Sequence, residues 1–337
     1  MAVAGLPDLL IAGRNARTIA DVQANFNRAS LELTTGRQSD VVKATGGDPI
    51  KLYAVERDLA LVAGRQSSIS AAVSRAGVMQ SALERIQGAA SQIGVSLAAA
   101  VEAKDIRAAE LRASGAREAF TDVVTTLNVR FGERSLFAGA AVDGPAMAPA
   151  EDILAEISAR VAGAADGAAA IAAVDAYFLT DPTGFAATGY VGSTADAPST
   201  ELEDGFRVNF AARADQAEIV EVLRTLALAI TGAEGAFAGA TIGERLDVLG
   251  AAATSGLSAV EGVVLLRGQV GLAEERLEEV ETRLSAETVF LERAKNALIA
   301  RDQFEAATEF NALETQLSLV FEMTSRLSSL TLANFLR

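Results

Sequence analysis

Both ends of the chain carry apolar residues at helical spacing, and this limits the fold more than any other feature. Near the start, Ile19, Val22, Phe26, Ala29 and Leu33 recur at alternating intervals of three and four. That is a heptad a/d row, the seam of helix-on-helix packing. Near the end, Ala306, Phe310, Leu313, Leu317, Val320, Leu327 and Leu330 form a matching row. Only 6 prolines occur in 337 residues, so little interrupts long helices. Half the chain is apolar but only 5% is aromatic. Alanine, valine and leucine make up much of the rest, a composition suited to close helix contacts.

The first helix is predicted over about residues 15–35, with Gly36 at its C-cap. A polar, glycine-containing loop follows over 37–47. Asp48 and Pro49 then open a long helix reaching about residue 104, because aspartate caps free amides and proline suits the first helical position. Asp105 caps a third helix ending near Arg130. From Gly132 the chain turns rich in glycine, alanine and proline and reads as a boundary loop. Short helices are expected over 150–165 and 167–178. Phe206, Val208 and Phe210 alternate with polar neighbours and predict the one strand, half of a hairpin with residues near Tyr190 or Leu202. A helix over about 215–231 follows.

Thr241 with Glu244 forms a capping-box pattern opening a helix to about residue 300. Leu277, Leu284, Leu291 and Leu298 repeat every seven residues along it, while glycines at 250, 256, 262, 268 and 271 weaken its first half. Asp302 with Glu305 marks a second cap and a hinge near residue 301. The expected fold class is therefore mainly α, an antiparallel long-helix bundle built from N- and C-terminal segments, with a small mixed α/β insert. The expected division is a coiled-coil helix over 1–36, core segments over 37–139 and 241–301, an outward insert over 140–240, and a coiled-coil helix over 302–337.

The formal charge of -15 repels phosphate backbones and argues against a nucleic-acid partner. The chain has no cysteine and no histidine. Thiolate chemistry is thereby excluded, and the commonest general base and metal ligand are missing. No serine sits in a recognisable serine–lysine motif with Lys43, Lys51, Lys104 or Lys295. The run Glu274, Glu275, Glu278, Glu279, Glu281 spreads around a helix and is interrupted by Arg276. It reads as a solvated face. We therefore assign no catalytic, cofactor-binding or metal-ligating residue, and expect a protein that is not an enzyme. The first fifteen residues lack the basic start of a cleaved secretory signal. No apolar run approaches the ~18 residues of a membrane span.

Two amphipathic helices alone bury little and are marginal in water. The terminal rows are therefore read as surfaces for neighbouring subunits, open in the lone chain. The packing residues are Ile19, Val22, Phe26, Leu33, Phe310, Leu313, Leu317, Val320, Leu327, Leu330, Phe335 and Leu336.

Three stretches resemble one family in the correct order. LELTTGRQSDVVKATGGDPIKLYAVERDL (31–59) is similar to the N-terminal signature of bacterial flagellins and their relatives. RFGERSLFAGAAVDGPAM (130–147) resembles the segment preceding the variable domain in that family's hook–filament junction branch, the third hook-associated proteins. Residues 302–337, ending in Phe335-Leu336, resemble the closing helix of the same branch. Gly47-Asp48-Pro49-Ile50 also resembles the junction branch, whereas flagellin itself has an Asp-Asp-Ala-Ala-Gly run there. The opening MAVAGLPDLLIAGRN departs from the family pattern.

The resemblance implies an extracellular structural subunit of the bacterial flagellum, exported by the type III apparatus without a cleaved signal. It implies a homo-oligomeric annular layer with the hook-side junction protein and flagellin as neighbours, and an export chaperone on the C-terminal helix. Flagellin is the alternative within the family. A secreted adhesin or effector is the alternative outside it.

Overall fold

The computed structural model describes residues 6–197, 200–203, 206–208 and 212–335. Long helices dominate: α1 (Leu6–Thr35), α3 (Ile50–Glu102), α10 (Ile242–Ile299) and α11 (Gln303–Phe335). The shorter ones are α2 (Val41–Ala44), α4 (Ile106–Ala113), α5 (Ala116–Leu127), α6 (Ala150–Val161), α7 (Gly167–Asp175), α8 (Phe185–Thr188) and α9 (Ala217–Glu234). A π-helical turn, Ala176–Thr180, continues α7. The chain forms two compact units, residues 1–64 with 284–337, and residues 65–283. The fold class is the mainly α one expected.

In the first unit α1 packs along α11. The ends of α3 and α10 contribute Leu52, Val62, Leu284, Leu291 and Ile299, all buried. Lys295 pairs with Glu56 at 2.7 Å.

In the second unit α3 and α10 bury one continuous apolar face each. Ile69, Met79, Leu83, Ile86 and Leu97 on α3, with Val248, Leu249, Val263 and Leu277 on α10, are 3% exposed or less. Gly94 and Gly256 let the two backbones touch: a Cβ at Gly256 would lie 2.7 Å from Gly94 Cα. The glycines expected to weaken α10 therefore do not break it, and one of them sets the helix spacing. One stretch of α10 is also apolar enough, by length and mean hydropathy, to cross a membrane, although no unbroken apolar run of that length occurs in it, and 44% of the stretch is buried inside the protein. Its buried face is spent on this core.

α9 packs against α4, α5, α6 and α7, and side chains tie α4, α7 and α9 to α10. α9 is buried over Val222, Leu223, Leu226, Ala227, Leu228 and Ala229. It ends at left-handed Gly235 (φ 60°). Arg245 from α10 donates to the α9 carbonyls of Gly232 (2.9 Å) and Ala233, and pairs with Glu110 at 2.7 Å. These cap free carbonyls and favour the negative helix end. Arg224 joins Asp175 (2.6 Å), Glu221 (2.7 Å) and Ser255 (3.0 Å), and Thr225 meets Ser255 at 2.6 Å, so the buried polar groups between α9 and α10 are paired.

Several local expectations are corrected. The first helix begins at Leu6, nine residues before the predicted Asn15. The third predicted helix is two, broken at Ser114-Gly115, where Gly115 takes ψ near zero. A hairpin missed in the sequence, β1 (Arg130–Phe131) with β2 (Arg134–Ser135), precedes the insert. The expected strand is β4 (Phe206–Val208), pairing antiparallel with β3 (Thr200–Glu203) and so with the Leu202 option; Phe210 lies outside the described residues. The Thr241 capping box is only half formed. Glu244 N donates to Thr241 Oγ1 (3.3 Å), but the Glu244 carboxylate accepts from Gly167 N at 2.6 Å, capping α7 instead. Asp105 and Asp302 do cap as expected, accepting from Ala108 N (3.1 Å) and from Phe304 N (2.8 Å) and Glu305 N (3.1 Å).

The segment Leu136-Phe137-Ala138-Gly139 is buried throughout its first three residues. Gly139 has φ 60°, and a Cβ there would lie 2.2 Å from Ser193 O. Asn128 holds the following loop. Its Oδ1 accepts from Ala146 N and Met147 N, both at 2.9 Å, and its Nδ2 donates to Met147 O at 3.1 Å. Family-like residues here are explained by packing and backbone geometry.

Candidate assembly surface

The a/d rows of α1 and α11 meet each other. Val22, Ala29 and Ala306 are buried. Ile19, Phe26, Leu33, Phe310, Leu313, Leu317 and Val320 are half-buried. Phe26 and Phe310 stack with ring centroids 4.9 Å apart and planes tilted by 33°, an arrangement worth about 0.5–1.5 kcal/mol beyond area burial. The side chains of Leu327, Leu330 and Phe335 lie outside the described set, although their backbone is helical, and Leu336 lies outside the described residues altogether. Most of the predicted packing residues thus line one seam within the chain, and all of these but Val22 stay half-buried because only two helices form it.

A second apolar set points away from the buried seam. Leu31 on α1 and Phe304, Leu319, Phe321 and Met323 on α11 are each more than half exposed, Phe304 by 82%. Sequence reasoning missed these residues, because they fall off the a/d row. The signal was the run Leu317-Ser318-Leu319-Val320-Phe321, apolar at four of five positions and too dense for a one-faced helix. Exposed large apolar groups in such number mark an association surface.

The base of the seam is a hinge with a polar lock. Gly36 takes φ 67° and ends α1. Gln38 N donates to Ile299 O (2.8 Å) and Arg301 N to Gly36 O (3.0 Å), zipping the end of α1 against the break between α10 and α11. The Glu32 carboxylate, 7% exposed, accepts from Ser39 N at 2.9 Å and pairs with Arg301 at 3.1 Å. Arg301 also pairs with Glu309. Burial of this pair sets the register between α1 and α11, because a slip would strand a charge away from water. The predicted hinge near residue 301 is this break.

The acidic run on α10 is solvated: Glu275, Glu278, Glu279 and Glu281 are exposed. Among the described residues no cluster of acidic side chains is arranged to hold a metal ion.

Residues 257–336 match the family described as the bacterial flagellin C-terminal helical region. The match therefore spans most of α10, the hinge and α11. Two solved structures share the fold. One is Bacillus cereus FlgL, at 17% identity and a TM-score of 0.51, covering 71% of this chain and 97% of that one. The other, from Vibrio parahaemolyticus, is described as a flagellar hook-associated protein; it has 12% identity and a TM-score of 0.50, and covers 74% of this chain and 96% of that one. No curated protein matches the chain in sequence.

Proposed function

We propose, from a flagellin C-terminal helical region carried on an FlgL-like fold, that this chain is a structural subunit of the bacterial flagellum at the junction between hook and filament. The observation that carries the reading is the α1–α11 pair, of which α11 lies within the matched region and leaves a dense apolar face open. A two-helix seam with half-exposed rows gains stability when neighbours cover it, so the chemistry is mechanical: helix faces lock subunits together. In this reading the packing residues named from the sequence register α1 on α11. Leu31, Phe304, Leu319, Phe321 and Met323 meet adjacent subunits. The subunits form an annular layer outside the cell, with the hook-side junction protein and flagellin as neighbours. Export proceeds without a cleaved signal, and a chaperone covers α11 beforehand. The chain performs no catalysis.

Flagellin is the second reading, favoured by the description of the family that residues 257–336 match. Subunit stoichiometry in purified flagella separates the two. A junction subunit is a trace component and a filament subunit dominates; complete absence from flagella refutes both. Deleting residues 303–337 is expected to shed intact flagellin into the medium under the junction reading. Unchanged motility after that deletion refutes it.

A further inference from the structure

We propose that Met323 on α11 is an oxidation site, where a hydroperoxide converts the thioether to a sulfoxide and so closes the open apolar face to neighbouring subunits. The consequence for assembly rests on the reading above; the site itself does not. The chain has no cysteine, no histidine and no tryptophan, so an oxidant meets sulfur only in methionine. Three of its 4 methionines lie among the described residues. Met79 is 0% exposed in the α3 core and Met147 is 1% exposed, whereas Met323 is 62% exposed. Peroxide reaches Met79 and Met147 only when the fold opens, and it reaches Met323 in the native state.

The surroundings decide what the reaction does. Leu319 lies one turn before Met323 on α11 and shares its face, and both are exposed. A helical methionine leans back over the preceding turn, which carries the sulfur toward Leu319. Phe321, between them in sequence, is exposed as well. As a thioether, Met323 is an apolar and adaptable member of this set. As a sulfoxide it carries a polar oxygen that an apolar contact leaves without a hydrogen-bond donor.

The step needs no other group from the protein. A sulfur lone pair attacks the terminal oxygen of the hydroperoxide, and the S–O bond forms as the O–O bond breaks. The proton on the transferred oxygen passes to the leaving oxygen, which departs as water or an alcohol. Sulfur is oxidised and the peroxide is reduced by the same electron pair.

Purified full-length chain is treated with dilute hydrogen peroxide and its peptides are mapped by mass spectrometry. The Met323 peptide should gain one oxygen at least about tenfold faster than the Met79 and Met147 peptides. Equal rates overturn the site. In the native host, wild type and Met323→Leu are then produced together, and their ratio in isolated flagella is read with and without peroxide. Peroxide is expected to lower wild type about tenfold against Met323→Leu, and Met323→Gln, a polar stand-in for the sulfoxide, is expected to fall as far without peroxide. An unchanged ratio, or Met323→Gln incorporated at the wild-type level, overturns the consequence for assembly. Absence of the wild-type chain from flagella refutes the assembly reading instead, and the peptide map alone then decides the oxidation site.

Discussion

Gly256→Ala tests the closest backbone contact in the second unit. A Cβ at Gly256 would lie 2.7 Å from Gly94 Cα and 2.9 Å from Gly94 N, whereas ordinary contact begins near 3.4 Å. The obstacle is backbone, so no side chain can swing aside. α3 and α10 must part by roughly 0.5–1 Å, which loosens the dispersion contacts of their buried faces. Overpacking of this kind costs about 1–3 kcal/mol. Removing a glycine from a helix interior returns about 0.8–1 kcal/mol. Net destabilisation of about 1–2 kcal/mol is expected. Gly88→Ala, on the same helix as Gly94, is the control. It receives the same propensity gain, and nothing lies within 4 Å of its Cβ. It should stabilise by about 0.5–1 kcal/mol. Urea unfolding followed by circular dichroism reads both, with midpoints moving in opposite directions by roughly 0.3–0.7 M at unchanged slope. A Gly256→Ala midpoint that rises like that of Gly88→Ala would refute the close crossing.

Arg301→Ala should destabilise the first unit by about 3–5 kcal/mol, because it strands the buried Glu32 carboxylate; hydrogen exchange at Gln38 and Ser39 should accelerate, and unchanged protection would remove the lock from the account. Asn128→Ala leaves the amides of Ala146 and Met147 without their acceptor and is expected to cost about 2–3 kcal/mol, read by thermal unfolding. Tyr190, one of 3 tyrosines, is pushed up to about 12 by burial and then by the Asp215 charge, with its hydroxyl donating to Ser193 O at 2.7 Å. The folded state favours the neutral phenol, so this stabilisation is complete below pH 10 and is lost between pH 10 and 12, amounting to about 2–3 kcal/mol. Ultraviolet titration of wild type against Tyr190→Phe checks it, and a phenol titrating near 10 contradicts it.

Much of the fold was legible because its causes are local. Heptad rows specify helices wherever they run, and Asp105 and Asp302 cap the residues just after them whatever the rest of the chain does. The break at residue 301 follows from the same short-range rules, whereas the meeting of α1 with α11 is a tertiary contact. The identity of the exposed apolar residues did not follow from these rules either, because Phe304 and Phe321 differ from Phe310 only in which face of their helix they occupy.

What the sequence determined by itself was the secondary structure of the long elements, the position of the hinge and the absence of cysteine and histidine chemistry. Tertiary structure decided the rest. Glu244, spaced to close a box on its own helix, caps α7 instead, because folding brings the amide of Gly167 to 2.6 Å from its carboxylate. Gly256 reads as a helix weakener in sequence and becomes the point where two helices touch, because its missing side chain has meaning only once Gly94 lies opposite. Spacing along a chain fixes which residues share a face. Only packing fixes what that face meets, since burial is a property of the neighbours.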